Sequence, residues 1–88
     1  MYAIIVYDVN VERVGKVHKF FLKYLYWVQN SVFEGELTES EFAEINLYLE
    51  KNIKYKDNVL IYKINGGKKQ IEKRIFGKEK AHLSNILE

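Results

Sequence analysis

Asp8 is the first side chain in the chain that can do acid, base or metal chemistry. It is the only acid in the first eleven residues, and it directly follows the apolar run of residues 2 to 7. A carboxylate at the end of a buried strand is held rigidly, as a reactive group requires. The same position also suits an aspartate that ends the strand and caps the following loop. Position alone leaves both roles open.

Basic side chains form the second group of candidate functional residues. Residues 51 to 80 hold ten bases against three acids, whereas residues 34 to 50 hold six acids and no base. This division predicts one basic and one acidic face. A basic face contacts the phosphate backbone of nucleic acids without reading their sequence. The candidate phosphate contacts in this segment are Lys68, Lys69, Lys73 and Arg74.

The segment after Asp8 adds a basic stripe. Lys16, Lys19 and Lys23 fall on the outer side of a predicted helix, and Arg13, in its first turn, is nearest to Asp8. They can line a phosphate track, or they can form an ordinary solvated helix face. His18, on the same helix, is interpreted as a surface residue rather than a general base. No glycine-rich phosphate loop, paired metal-ligand spacing or cofactor fingerprint is present.

The elements that position these residues follow from apolar periodicity and helix-capping signals. Thr38 and Glu41 form a capping box, and Leu37 and Phe42 are placed for a hydrophobic staple. Segment 27 to 36 is compatible with one bent strand or with two short strands. The remaining predicted elements are a strand over 2 to 7, a helix from about Val11 to Tyr26 capped by Asn10, a helix ending near Lys51, and strands over Val59 to Ile64 and Ile71 to Phe76, with a short apolar piece over His82 to Leu87.

With the middle segment counted as two strands, the order is that of an α+β, ferredoxin-like βαββαβ fold with an antiparallel sheet. We expect a single domain over residues 1 to 88, with a core of about 1 to 66 and an extension of about 67 to 88. Both helices lie on one side of such a sheet. The other side is expected to carry Tyr2, Tyr7, Phe33 and Tyr62 and to need a cover.

Length and composition point to a homodimer. The chain has 88 residues and no cysteine, so disulfides cannot supplement its small core. Pairing two copies sheet to sheet would supply that stability and cover the aromatic face. No apolar run is long enough to cross a bilayer, and the first residues lack the pattern of a signal peptide. We therefore expect a cytoplasmic protein without a membrane partner.

One stretch of the sequence resembles a known family. Val28-Gln29, followed by Ser31-Val32-Phe33-Glu34-Gly35, stands about 20 residues after Tyr7-Asp8. This combination resembles the small CRISPR-associated adaptation proteins, which are partners of the CRISPR integrase. The resemblance covers residues 1 to about 64. This chain departs from the pattern at Trp27, where the family often has arginine.

The resemblance implies a homodimer with sheets face to face and C-terminal strands exchanged. It implies a metal-dependent endonuclease acting on RNA or double-stranded DNA, with Asp8 as the catalytic ligand of Mg²⁺ or another divalent cation. Two copies of Asp8 can share that ion across the dimer axis. It also implies a nucleic-acid scaffold for the integrase during spacer acquisition. The alternatives are a catalytically silent DNA-binding scaffold and a ferredoxin-like regulatory or interaction domain.

Overall fold

The computed structural model of the chain describes residues 1–66 and 70–77. Five strands form one antiparallel sheet in the order β2-β3-β1-β4-β5. The first six elements follow the predicted ferredoxin-like βαββαβ order, and a fifth strand extends the sheet beyond β4. In chain order the elements are β1 (Tyr2–Asp8), α1 (Val11–Leu22), β2 (Tyr26–Gln29), β3 (Val32–Glu36), α2 (Glu39–Asn52), β4 (Asn58–Asn65) and β5 (Gln70–Gly77).

Helix α1 begins as predicted and ends earlier. The Asn10 side chain accepts a hydrogen bond from the Glu12 amide at 3.1 Å, which satisfies one of the helix's unpaired N–H groups. The prediction that the helix reaches Tyr26 was wrong. A tight turn follows Leu22, in which the Tyr24 amide donates to the Phe21 carbonyl at 3.0 Å. Leu25 continues the apolar spacing of the helix and is buried, but it belongs to this turn and not to the helix.

Residues 26 to 36 form two strands rather than one bent strand. Tyr26 pairs with Glu34, and Trp27 pairs with Phe33. The reversal between the strands needs a left-handed residue, and Asn30 adopts φ 40° there, a conformation that asparagine tolerates better than most residues. β2 therefore forms one edge of the sheet.

Helix α2 starts at the predicted capping box. The Thr38 hydroxyl accepts from the Glu41 amide at 3.0 Å, and the Glu41 carboxylate accepts from the Thr38 amide at 2.9 Å. Leu37 and Phe42, expected to form a hydrophobic staple, are both buried. Farther along, Tyr48 stacks on Phe20 of α1 with ring centroids 3.8 Å apart, which joins the two helices.

The core lies between the two helices and one side of the sheet. Side chains alternate along β1, so that Ala3, Ile5 and Tyr7 are buried under the helices. The prediction that Tyr7 and Phe33 belong to the uncovered side was wrong: Tyr7 is 4% exposed and Phe33 is 0% exposed. The two rings lie 5.9 Å apart within the core.

The opposite side of the sheet, which we call the open face, has no helix over it among the described residues. Cross-strand partners share a face, so the pairs Ile4 with Tyr62 and Val6 with Leu60 lie side by side here. Tyr2 and Tyr62 are on this face, as predicted. Its apolar and aromatic members on β1, β4 and β5 are Tyr2, Ile4, Val6, Leu60, Tyr62, Ile64, Ile71 and Ile75.

The predicted strand over Ile71 to Phe76 is confirmed as β5, which pairs with β4 of the same chain from Asn65 opposite Gln70 to Asn58 opposite Gly77. Exchange of C-terminal strands between two copies stays a prediction. The apolar piece predicted over His82 to Leu87 lies outside the described residues, as do Lys68 and Lys69.

Gly77 provides a test of how β5 is anchored. A Cβ at this position would lie 2.1 Å from the Asp57 carbonyl oxygen, and its φ of +82° is already strained for other residues. We expect Gly77→Ala to lower the free energy of unfolding by about 1–3 kcal/mol. Urea denaturation at matched protein concentration measures this change.

Gly15→Ala is the matched control. Nothing lies within 4 Å of the added Cβ. Alanine in a helix interior should stabilise the protein by about 0.5–1 kcal/mol. Equal effects of the two substitutions would contradict the close approach of Gly77 to Asp57.

Candidate active site

Asp8 is the last residue of β1 and its side chain is exposed. Alternation along the strand places it on the open face, with Tyr2, Ile4 and Val6. Its cross-strand partner on β4 is Asn58. The sequence therefore predicted correctly that Asp8 ends the first strand, and the structure puts its carboxylate at the end of the apolar open face.

The loop after Asp8 is fixed by a second aspartate, Asp57, whose side chain is fully buried. One carboxylate oxygen of Asp57 accepts from the Asn10 amide at 2.9 Å, and the other accepts from the Lys54 amide at 2.9 Å. The carboxylate thereby ties the loop between β1 and α1 to the loop between α2 and β4.

Arg13 completes the pairing of Asp57. Its Nε donates to Oδ2 at 2.8 Å and its Nη2 donates to Oδ1 at 2.9 Å, which is the bidentate geometry of a strong ion pair. The side-chain hydrogen bonds from Arg13 lower the pKa of Asp57 from 3.8 to about 2, with the Asn10 and Lys54 amides helping and burial opposing. Asp57 is therefore ionised at neutral pH.

A third segment, the end of β5, also meets the loop that contains Asp57, because Gly77 closely approaches the Asp57 backbone. The end of β1, the loop before β4 and the end of β5 are thus held together next to Asp8. Sequence reasoning missed Asp57. The Arg13 and Asp57 partners are 44 positions apart, and no local pattern links them.

The predicted phosphate contacts fall into separate groups. Arg13 and Lys16 line one shallow cleft of about 110 Å³ between the helices, together with Lys54, Tyr48 and Asn52. The cleft has a basic rim. The guanidinium of Arg13 is already committed through two of its nitrogens to Asp57, and its Nη1 lies 3.7 Å from Glu12.

Lys73 and Arg74 are adjacent on β5 and therefore lie on opposite faces of the sheet. Lys73 pairs with Tyr62 on the open face. Arg74 lies on the helix side, over the Phe42 ring at 5.3 Å from its centroid, and Lys63 lies 4.8 Å from the same centroid. The structure does not bring Lys73 and Arg74 into one patch.

His18 is not the surface residue that the sequence suggested. Its Nδ1 is 2.9 Å from the Tyr7 hydroxyl, and its ring lies 5.1 Å from Phe33 and 5.0 Å from Trp27. These contacts give it a packing role between α1 and the hairpin of β2 and β3. The helical position that suggested exposure in fact faces the sheet edge.

The metal-ligand chemistry of one chain is limited. Within the described ranges, no group of three or more acidic, histidine or cysteine side chains is placed to hold a metal ion. Mg²⁺ can be bound through one or two carboxylates while it keeps several waters and contacts a phosphate. The exposed Asp8 carboxylate fits that kind of site as one ligand.

In the part of the chain that the structure describes, no helix is both long and apolar enough to cross a membrane.

A ferredoxin-like sheet with a carboxylate at the end of β1 defines the class of small α+β domain to which this chain belongs. Residues 1–73 match the family model described as CRISPR associated protein Cas2. A protein of Methanosarcina acetivorans named CRISPR-associated endoribonuclease Cas2 is 46% identical over 87 residues, covering 99% of this chain and 100% of that protein.

Two further comparisons agree. A protein of the same name from Pyrococcus furiosus is 57% identical over 65 residues, covering 73% of this chain and 76% of that protein. A crystal structure of Cas2 superposes with a TM-score of 0.68 at 47% identity, covering 91% of this chain and 79% of that chain. The chain belongs to the Cas2 family, as the resemblance in its sequence indicated.

The Asp57 ion pair gives a test of the site's framework. We expect Asp57→Asn to lower the free energy of unfolding by about 2–4 kcal/mol, because it removes the buried charge that the guanidinium and two amides stabilise. Glu12→Gln is the control. Its exposed carboxylate contacts Arg13 at 3.7 Å, so its loss should cost less than about 1 kcal/mol.

The same ion pair has a pH signature. Because the folded-state pKa of Asp57 is lowered from 3.8 to about 2, its contribution to stability is complete above the unfolded-state pKa and is lost as the pH falls through that window. Denaturation measured across this range should show a shallower acid limb for Asp57→Asn than for the parent. Parallel acid limbs would contradict the ion pair.

Proposed function

We propose that this chain is a divalent-metal-dependent endonuclease that cleaves the phosphodiester bonds of nucleic acid, with RNA as the first substrate to test. The observation that carries the proposal is the exposed Asp8 carboxylate at the end of a rigid central strand. The relatives compared above are named endoribonucleases, which supports RNA as the substrate.

The active unit is a homodimer that forms through the open face. Half-buried apolar side chains such as Ile4, Leu60 and Tyr62 line this face, and no helix of the described residues covers them. A face of this kind is typical of an interface between copies. Because Asp8 is on the same face, a twofold pairing through this face brings the Asp8 carboxylates of both copies to the interface.

Two Asp8 carboxylates, one from each copy, supply the metal ligands of this site. When bound, Mg²⁺ supplies an activated water and neutralises charge on the scissile phosphate. Asp8 holds its carboxylate toward the substrate because β1 fixes its backbone. Asp57 keeps the following loop in place through Asn10 and Arg13. Asp57, Asn10 and Arg13 position the loop, and Asp8 is the residue that takes part in the chemistry.

Phosphate binding is assigned to basic side chains at two places. Arg13 and Lys16 line the cleft between the helices, and Lys54 adds a third cation there. Lys73 and Arg74 contribute from opposite faces of β5, with Lys68 and Lys69 assigned from sequence alone. These contacts bind the backbone and confer no sequence preference.

Partnership with the CRISPR integrase and a cytoplasmic location complete the proposal, and both rest on the family. A catalytically silent scaffold is the second candidate. One observation favours it: among the described residues, no group of three or more acidic, histidine or cysteine side chains is placed to hold a metal ion. A scaffold would keep the basic surfaces and have no use for Asp8.

Asp8→Ala separates these two functions. We expect the substitution to abolish Mg²⁺-dependent cleavage of single-stranded RNA while the protein stays folded and keeps its solution mass, because Asp8 is an exposed strand-end residue outside the core. Gel assays with Mg²⁺ and with chelator measure cleavage, and Glu12→Gln serves as the control carboxylate. A stable Asp8→Ala protein that still cleaves would refute the site, and an inactive parent would favour the scaffold.

Leu60→Glu tests the dimer. A carboxylate at the centre of the open face would be buried without a partner in a sheet-to-sheet interface, so we expect the mass from light scattering to fall from twice 10.5 kDa toward 10.5 kDa. Leu47→Glu, which changes a side chain on α2 that is 56% exposed, should leave the mass unchanged. A monomeric parent at micromolar concentration would exclude this dimer.

A further inference from the structure

The open face changes its chemistry at the end where Asp8 lies. Along β1 and β4, three successive rows of directly opposite side chains are apolar or aromatic: Tyr2 with Ile64, Ile4 with Tyr62, and Val6 with Leu60. The next row pairs Asp8 with Asn58. On the far side of Asn58 the row ends at Gly77 of β5, which has no side chain. Two oxygen-bearing side chains therefore stand next to each other at the end of an apolar surface.

Asp8 and Asn58 are close enough to share one ion. Side chains directly opposite each other on antiparallel strands have Cβ atoms about 4.5–5.5 Å apart. Both residues carry their oxygen atoms on Cγ, one bond beyond Cβ, so these oxygens can converge between the strands. Within the described ranges, the next acid on this face is Glu34, which is opposite Ile4. It lies four residues farther along β1, about 13 Å away, and cannot join them.

The backbone around Asn58 is fixed before any ion binds. Asn58 is 8% exposed, and it begins β4 directly after the fully buried Asp57. The Asp57 carboxylate accepts from the Asn10 amide and from the Lys54 amide, each at 2.9 Å, so it holds the chain after Asp8 and the chain before Asn58. Because folding has already ordered both residues of the row, a bound ion would cost them little further entropy.

The oxygens of this row suit a hard divalent cation. Carboxylate and carbonyl oxygens are the ligands that Mg²⁺ and Mn²⁺ prefer. The carboxamide of Asn58 is neutral, so it places an oxygen beside Asp8 without the repulsion that a second carboxylate would cause in the metal-free protein. Its NH₂ group can donate to a neighbour while its oxygen binds the ion.

We propose that Asn58 is a ligand of the divalent cation through its side-chain oxygen, and that it acts beside Asp8 of the same chain. This inference rests on the proposed function and deepens it, because it adds a neutral oxygen to a site built there from carboxylates. Removing Asn58 leaves Asp8 in place. Metal binding should therefore weaken in its absence and not vanish.

Mn²⁺ binding without nucleic acid tests the proposal independently of cleavage. Electron paramagnetic resonance measures the free ion as Mn²⁺ is titrated into the protein up to millimolar concentration. Asn58→Ala should bind Mn²⁺ at least about 10-fold more weakly than the parent, since even residues that only orient metal ligands contribute about 10- to 100-fold to affinity. Asn58→Asp keeps an oxygen in the same place and adds charge, so it should bind more tightly than the parent.

Asn65→Ala is the matched control, because Asn65 is at the other end of β4, opposite Gln70. It should leave Mn²⁺ affinity unchanged. Melting curves establish that each variant is folded.

The outcomes separate a ligand from a structural residue. Parental Mn²⁺ affinity of a folded Asn58→Ala protein, with binding lost in Asp8→Ala, overturns the role of Asn58 and leaves the Asp8 site intact. Weaker binding by both Asn58→Ala and Asn58→Asp would mean that Asn58 donates to Asp8, which also overturns the ligand. If Asn58→Ala does not fold, tighter binding by Asn58→Asp supports the ligand, and binding that is not tighter overturns it. Absence of Mn²⁺ binding by the parent overturns both this inference and the metal-dependent function.

Discussion

The candidate site depends on the buried ion pair between Asp57 and Arg13. A carboxylate removed from water is costly unless its oxygens are fully paired, and here two backbone amides and two guanidinium nitrogens pair them. The cost of separating these groups fixes the loops on either side of Asp8. It also limits Arg13: a phosphate that took Arg13 away from Asp57 would leave a buried charge unpaired. Phosphate contact by Arg13 therefore has to use the N–H groups that Asp57 leaves available, which are the two of Nη1, 3.7 Å from Glu12, and the second of Nη2.

Alternation along β1 links the core to the candidate site. The residues that point toward the helices build the core, and the residues between them, ending with Asp8, build the open face. A shift of one residue in register would bury Asp8 and expose Ile5 and Tyr7. The same register thus sets both the packing of the core and the position of the Asp8 carboxylate. The pairs Ile5 with Phe33 and Ile5 with Ile61 define this register.

Local signals predicted most of the fold, and long-range contacts account for the errors. The capping box at Thr38 and the cap at Asn10 act within four residues, so the sequence displays them. The run over residues 2 to 7 is apolar throughout, so it gave no sign of which side Tyr7 takes. Asp57 and His18 acquire their roles only from residues brought close by folding, Arg13 and Tyr7 respectively.

The proposed dimer interface and the phosphate contact assigned to Arg74 are compatible because they lie on different sides of the sheet. A dimer through the open face covers Ile4, Leu60 and Tyr62, and it leaves the helix side, with Trp27 and Arg74, in contact with solvent. Lys73 is on the open face beside Tyr62, so a dimer restricts it to the rim of the interface. In the proposed dimer, Arg74 therefore stays accessible to a nucleic acid from the helix side, whereas Lys73 can be reached only at the rim of the interface.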